Sequence, residues 1–295
     1  MIYHTALRYT LLGLSLTLLS GCISSVLTDE FSSIKNHYRT HDKPVPHWDE
    51  LERVKLFSVE QGSKDKPVVV FIHGTPGSWA FFTRYINHPQ LQSHARLIAI
   101  DRPGWGHSRI NGDFKPTLTD QSKMLGSWLC NQAKTSPSHK VILVGHSYGA
   151  TLSPRLALDN PGCISSMILL AGASNPDLAG PRWYNNLAQF SPIAWLADLA
   201  DNGMSQANAE MMPIQEELEK IRDRWHEIKQ PVVVIQGGED GLVDPGHTYY
   251  IEKKLAHVPL KIIKMPDDGH FVLFSHKQMV VDEILRLLER HMVRK

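Results

Sequence analysis

Val141-Ile142-Leu143-Val144-Gly145-His146-Ser147-Tyr148-Gly149-Ala150 is the stretch that decides how this chain folds. Its first four residues are apolar and mostly β-branched, which reads as a short strand covered on both faces. Tyr148 to Asp159 then has helical spacing and stops at the turn residues Asn160-Pro161-Gly162. Strand, corner and helix follow one another with no spacer. The flanking glycines leave room for a strained turn that lifts the Ser147 hydroxyl clear of a sheet. The start of the helix favours negative charge developing beside it. Gly-x-Ser-x-Gly alone says little, because both residues are common; the strand before it and the helix after it make Ser147 a candidate nucleophile. The competing reading is an ordinary structural turn.

Working outward, other short apolar runs bounded by turn residues read as strands: Val54 to Val59, Val68 to Ile72, Leu97 to Ile100, Met167 to Leu170, Val232 to Ile235 and Leu260 to Met265. Helical spacing covers Thr119 to Ala133 and His276 to Arg290, the latter with Val280, Ile284, Leu287 and Leu288 on one stripe. Alternating strands and helices predict an α/β fold with a mostly parallel sheet. One stretch breaks the alternation. Roughly sixty residues between Leu170 and Val232 exceed a usual crossover. They are helical in tendency and carry Trp183, Tyr184, Leu187, Phe190, Trp195, Leu196, Met204, Met211, Met212 and Trp225. A helical cap at about 175–230 is expected, inserted over one edge of the sheet. Its large side chains either line a site for an apolar group or simply pack the cap onto the core.

From Val54 to the C-terminus the chain resembles the α/β-hydrolase superfamily, on the corner at Ser147 and four further stretches in family order. His73-Gly74-Thr75-Pro76-Gly77 looks like the oxyanion loop, which implies that Thr75 and Tyr148 give the two backbone amides of an oxyanion hole. Asp101-Arg102-Pro103-Gly104-Trp105-Gly106-His107-Ser108 is similar to the family's next loop, which implies structural work. Gly237-Gly238-Glu239-Asp240 resembles the turn carrying the acid of a triad; Asp240 is the expected acid, with Asp244 and Glu239 close enough to compete. Asp267-Asp268-Gly269-His270 places His270 as general base. The resemblance implies a Ser147, Asp240, His270 triad, acyl-enzyme chemistry and no cofactor or metal. His73 and His146 are read as structural neighbours of these loops. The loop at His73 is also similar to that of epoxide hydrolases and haloalkane dehalogenases, whose nucleophile is aspartate. A serine attacking an alkyl carbon would leave an unreactive ether, so acyl transfer is the expected chemistry.

The N-terminus reads differently. Leu11 to Leu19 is an apolar run too short to cross a bilayer of about 30 Å, and suits the h-region of a secretory signal. Leu19-Ser20-Gly21-Cys22 is similar to a bacterial lipobox, which implies cleavage before Cys22 and its acylation. Ile23 is not the aspartate that retains such proteins at the inner membrane of enteric bacteria, so the resemblance implies a lipid-anchored envelope protein, at the outer membrane if there are two. Residues 1–21 are then signal peptide, 22–50 a lipidated cysteine and polar tether, and 51–295 the hydrolase domain. An ordinary cleaved signal peptide is the alternative. In such a compartment Cys130 and Cys163 either pair or stand as two buried thiols.

Composition excludes other classes. Thirty-one basic and 30 acidic residues leave a formal charge of +1 with no run of like sign, which offers nucleic acid no electrostatic footprint. Among the sixteen histidines, His37, His41 and His47 are too loosely spaced to read as a metal site. The leading expectation is hydrolysis of a small or apolar carboxylic ester. A proline-iminopeptidase-like aminopeptidase would need an acidic group in the cap for the substrate's amino terminus, and the sequence identifies none. A non-catalytic receptor for a small ligand on the same fold is the alternative outside enzymology.

Overall fold

Residues 45–180 and 203–292 are described by the computed structural model. Cys22, the signal segment, His37, His41 and the cap residues Trp183, Tyr184, Leu187, Phe190, Trp195 and Leu196 lie outside the described residues.

The strands are β1 (Val45–Glu50), β2 (Val54–Gln61), β3 (Val68–Ile72), β4 (Arg96–Ile100), β5 (Arg109–Ile110), β6 (Val141–His146), β7 (Ile164–Leu170), β8 (Val232–Gly237) and β9 (Leu260–Met265). They form a nine-stranded sheet in the order β1-β2-β4-β3-β6-β7-β8-β9, with β5 paired to β2. β2 runs antiparallel to β1, β4 and β5, and every pairing from β4 through β9 is parallel. The expected α/β-hydrolase fold, a mostly parallel sheet flanked by helices, is the fold observed. β3, β4, β6, β7 and β8 are buried at every position, because helices cover both faces.

The parallel register positions the site. Ile72 pairs with Gly145, His146 with Leu170, Leu170 with Ile235 and Gly237 with Met265. The C-terminal ends of these strands therefore share one edge, and the loops that leave them carry residues 73–77, 147–149, 238–240 and 266–270.

The helices used below are α1 (Leu118–Thr135), α2 (Tyr148–Asp159), α3 (Met204–Met211), α4 (Ile214–Glu219), α5 (His247–Lys254) and α6 (Lys277–Met292). Thr117 caps α1 by accepting a hydrogen bond from the Asp120 amide, so the helix starts at Leu118, one residue earlier than hydrophobic spacing alone indicates. In α6, Val280, Ile284, Leu287 and Leu288 are buried as their spacing requires. Of the expected cap, the described part comprises the turn Pro176–Leu178, α3, α4 and the turn Trp225–Glu227. Ile214, Leu218, Ile221, Trp225 and Ile228 belong to the main hydrophobic core, so this end of the insertion packs rather than lines a site.

Two differences from the sequence reading stand out. The tether was expected to run to residue 50, but Val45–Glu50 is an edge strand registered on β2, with Trp48 opposite Phe57 and their rings 4.9 Å apart. Its sequence, Val-Pro-His-Trp-Asp-Glu, is polar because one side of an edge strand faces water, and proline is tolerated there. Second, β7 begins at Ile164 rather than Met167. Ser165 and Ser166 hide the strand from an apolar scan, and Ser165 Oγ donates to the Val141 carbonyl at 2.9 Å. Cys130 in α1 and Cys163 just before β7 form a disulfide.

Candidate active site

Ser147 sits at the corner between β6 and α2 with φ 53° and ψ −118°. That conformation costs a residue with a Cβ about 1 to 3 kcal/mol, so the surroundings must hold it. They do so through Ser147 N donating to the Leu170 carbonyl at 2.8 Å and Thr151 N donating to the Ser147 carbonyl at 3.0 Å. The glycines are sterically required. A methyl group at Gly149 would lie 2.0 Å from the Ile72 carbonyl oxygen, and one at Gly145 would lie 2.4 Å from the Gly149 oxygen. The loop after β3 passes directly over the corner, since a methyl group at Gly74 would come 2.8 Å from Ser147 Cβ. Tyr148 opens α2, so its N–H is among those with no acceptor inside the helix.

On the same sheet edge, His270 Nδ1 and Asp240 Oδ2 lie 2.8 Å apart, both groups buried. The Asp240 carboxylate also accepts from Gln236 Nε2 at 2.9 Å and from the Leu242 and Val243 amides at 2.9 and 2.8 Å. Burial works to raise its pKa, but the hydrogen bond and charge of His270 and the two amides outweigh burial and hold it below the usual carboxylate range. Asp240 is thus ionised and fixed in direction. Asp244 and Glu239, the competing acids, are exposed, and Asp244 is engaged with the Gly246 amide at 2.7 Å. His146, next to Ser147, approaches the His270 carbonyl through Nε2 at 3.2 Å, and the two rings are 5.0 Å apart. Burial and the neighbouring His270 push the His146 pKa down to about 3, so its ring is neutral. It links the backbone of the histidine loop to the corner.

The loop between β3 and residue 77 is held from beneath. His73 Nε2 accepts the Arg102 backbone N–H at 2.9 Å, so the ring proton resides on Nδ1 and is donated to the Gly74 carbonyl at 2.7 Å. Burial and the adjacent Arg102 charge depress the His73 pKa well below its ordinary value, in keeping with that neutral form. The Arg102 side chain donates to the His73 and Gly74 carbonyls, both at 2.9 Å, and pairs with Glu210 of α3. Its Cζ lies 4.4 Å from the centre of the Tyr148 ring. Asp101 is buried beside it, accepting from the Trp79 and His107 amides at 2.8 Å each; burial raises its pKa. A methyl group at Gly106, whose φ is +53°, would meet Asp101 Oδ2 at 2.1 Å. The loop Asp101–Ser108 therefore does structural work. Thr75 is only partly buried, though its Oγ1 is shielded and has no hydrogen-bond partner.

The sequence reading named Ser147, Asp240, His270, Thr75 and Tyr148, and all five lie on loops or a helix start at one edge of the sheet. It missed Gln236 and Glu210, and gave Arg102 only the structural work of its loop. Gln236 had a signal, a lone polar residue ending an apolar strand four positions before the acid. Glu210 had none, because its partner is 108 residues away. His47 lies in β1 with Nε2 3.6 Å from Glu60, and among the described residues no group of three or more His, Cys, Asp or Glu could hold a metal ion.

Comparison with known proteins places this geometry in context. The model of the "Alpha/beta hydrolase family" matches residues 69–283. The chain is 34% identical over 121 residues to "Probable lysophospholipase BODYGUARD 2" of Arabidopsis thaliana, a stretch covering 40% of this chain and 25% of that protein. This chain thus spans about a quarter of the length of such plant relatives. It is 24% identical over 276 residues, 84% of this chain and 70% of the other, to the dihydrolipoyllysine-residue acetyltransferase component of the acetoin cleaving system of Pseudomonas putida. Among solved structures it is similar to a membrane phospholipase A described as a bacterial virulence factor, with TM-score 0.66, 18% identity and coverage of 97% of this chain and 99% of that one. At that identity the likeness speaks for the fold alone.

Proposed function

The chain belongs to the alpha/beta hydrolase family, and from that premise we propose that it is a serine hydrolase cleaving a carboxylic ester through Ser147, His270 and Asp240. The observation that carries this reading is the His270–Asp240 pair at 2.8 Å on the same sheet edge as a serine held at positive φ. Ser147 attacks the acyl carbon while His270 takes its proton and passes it to the leaving alcohol. Asp240 keeps the imidazole proton on Nδ1, leaving Nε2 to act as base, and stabilises the imidazolium. The amides of Thr75 and Tyr148 bind the oxyanion. Water then resolves the acyl-enzyme.

Serine rather than aspartate at the corner favours acyl transfer over attack on an alkyl carbon. The buried acids of the described cap segment argue against an aminopeptidase. Glu210 is neutralised by Arg102, and Glu217 is paired with Lys220 and hydrogen-bonded by Thr119, leaving neither for a substrate amino group. The names of the plant relatives favour a lipid-like acyl ester, and we extend the proposal to that class. Lipidation of Cys22, with anchorage to a bacterial envelope, completes the reading; it rests on the sequence alone, the apolar run Leu11 to Leu19 followed by Leu19-Ser20-Gly21-Cys22.

Two experiments test it. Fluorophosphonate should label the wild-type protein and not Ser147→Ala, and p-nitrophenyl esters should turn over with a chain-length preference. A folded wild-type sample that neither labels nor turns over overturns the catalytic reading. Metabolic labelling with palmitate should be lost in Cys22→Ser; acylation that persists refutes the anchor.

A further inference from the structure

The guanidinium of Arg102 is fully buried and has all five of its N–H groups engaged. Nε donates to the His73 carbonyl at 2.9 Å. One Nη2 hydrogen goes to the Gly74 carbonyl at 2.9 Å and the other to Glu210 Oε2 at 3.0 Å. Nη1 reaches Gln121 Oε1 at 2.9 Å and Glu210 Oε1 at 2.5 Å. Glu210, also fully buried, is completed by Trp105 Nε1 and Gln121 Nε2, each at 2.9 Å. A buried ion pair of this kind is seldom the most stable filling, since apolar side chains of similar volume often do as well. What apolar residues cannot do is hold two consecutive backbone carbonyls in fixed directions.

That restraint has a consequence one atom further along. The Gly74 carbonyl and the Thr75 N–H belong to one peptide plane, which is trans, and point in opposite directions. Fixing the carbonyl with Arg102 Nη2 on one side and His73 Nδ1 at 2.7 Å on the other therefore fixes the direction of the Thr75 N–H. The same guanidinium covers the ring of Tyr148, whose backbone N–H is the second proposed oxyanion donor. Glu210 comes from α3 of the insertion, so the clamp is complete only with that helix seated. We propose that Arg102 is a positioning residue that aims the Thr75 amide at the oxyanion, and that Glu210 makes this aim depend on docking of α3.

This inference rests on the oxyanion role of Thr75 and Tyr148 given above, and the test separates the two. In the full-length protein, Arg102→Met with Glu210→Met removes both charges at similar volume. The expected result is a melting temperature within a few degrees of wild type, with kcat for a p-nitrophenyl ester down about 100-fold, the lower end of losing an oxyanion donor, and KM changed by less than about threefold. Affinity for a trifluoromethyl ketone, which forms a tetrahedral oxyanion on the serine, falls in parallel with kcat. A double variant with wild-type kcat overturns the proposal, as do kcat losses that simply follow melting temperature across variants. If the double variant does not fold, Arg102→Lys decides: it keeps the charge opposite Glu210 but cannot hold both carbonyls, and a kcat within about threefold of wild type refutes the clamp. Wild-type protein that turns over esters while these variants are unaffected sinks only this inference. Wild-type protein with no turnover and no label at Ser147 sinks the catalytic reading and this one with it.

Discussion

Asp240 shows how much one side chain can be asked to do. Its Oδ1 is used up by two amides, while Oδ2 meets His270 and Gln236, so the carboxylate cannot rotate away from the imidazole. Asp240→Asn keeps the shape but places an NH2 or a neutral oxygen where an anion is required, and the favoured histidine tautomer changes. kcat should fall by about 10³ to 10⁴-fold with KM little altered, measured on any ester the wild type accepts. Fluorophosphonate labelling should slow in proportion. At this scale the sequence was readable where chemistry comes with a local pattern. Asp240 could be chosen over Glu239 and Asp244 by its place in the turn, and the hydrogen bond to His270 distinguishes it in the structure. Arg102 was readable only as part of a loop with structural work, since nothing nearby announces a buried guanidinium whose counter-ion lies in a later helix.

Elements of the sheet were legible to the extent that they are buried on both faces. β3, β6 and β8 are continuous apolar runs and could hardly be missed; β1 and the first residues of β7 could, because an edge strand alternates with water and Ser165 and Ser166 interrupt the run. Pairing of Cys130 with Cys163 was open for a different reason: spacing along the chain says nothing of which helix end meets which strand start. The bridge joins α1 to the segment entering β7 and closes a loop of sequence separation 33. By chain entropy, Cys130→Ala with Cys163→Ala should cost about 3 to 4 kcal/mol. In a domain of this size that is a fall in melting temperature of about 10 °C. Calorimetry of the double variant checks it, and ester turnover at 25 °C should be preserved because the bridge is at the strand ends remote from Ser147. A shift under about 2 °C would show that the reduced chain is already restrained by other contacts.

Across the whole molecule, burial of neutral histidines sets the response to acid. His247 is pushed from 6.5 down to about 4, chiefly by burial against the partial opposition of Asp244 and Asp240, and its Nδ1 accepts the Asn175 amide at 3.0 Å. His146 moves in the same direction. A histidine depressed in the folded state binds its proton first in the unfolded chain. Its contribution to stability is therefore complete above about pH 6.5 and is lost as pH falls toward the folded value. For His247 alone, urea unfolding at pH 7 and pH 5 should differ by about 2 kcal/mol. His247→Asn keeps an acceptor for the amides but does not titrate, and should narrow the difference by that amount; an unchanged difference would assign the acid sensitivity elsewhere. The fold as a whole was legible because alternation of strand and helix persists along most of the chain, whereas the insertion announced only that it was long and apolar. A last consequence follows from the parallel register. Ser147, Asp240 and His270 follow β6, β8 and β9, with β7 and the insertion between the first two, so the pairings that bring them to one edge are all non-local. Turnover would then return, as the chain refolds, only with the completed sheet, making the reaction a clock for the final stage of assembly rather than for collapse.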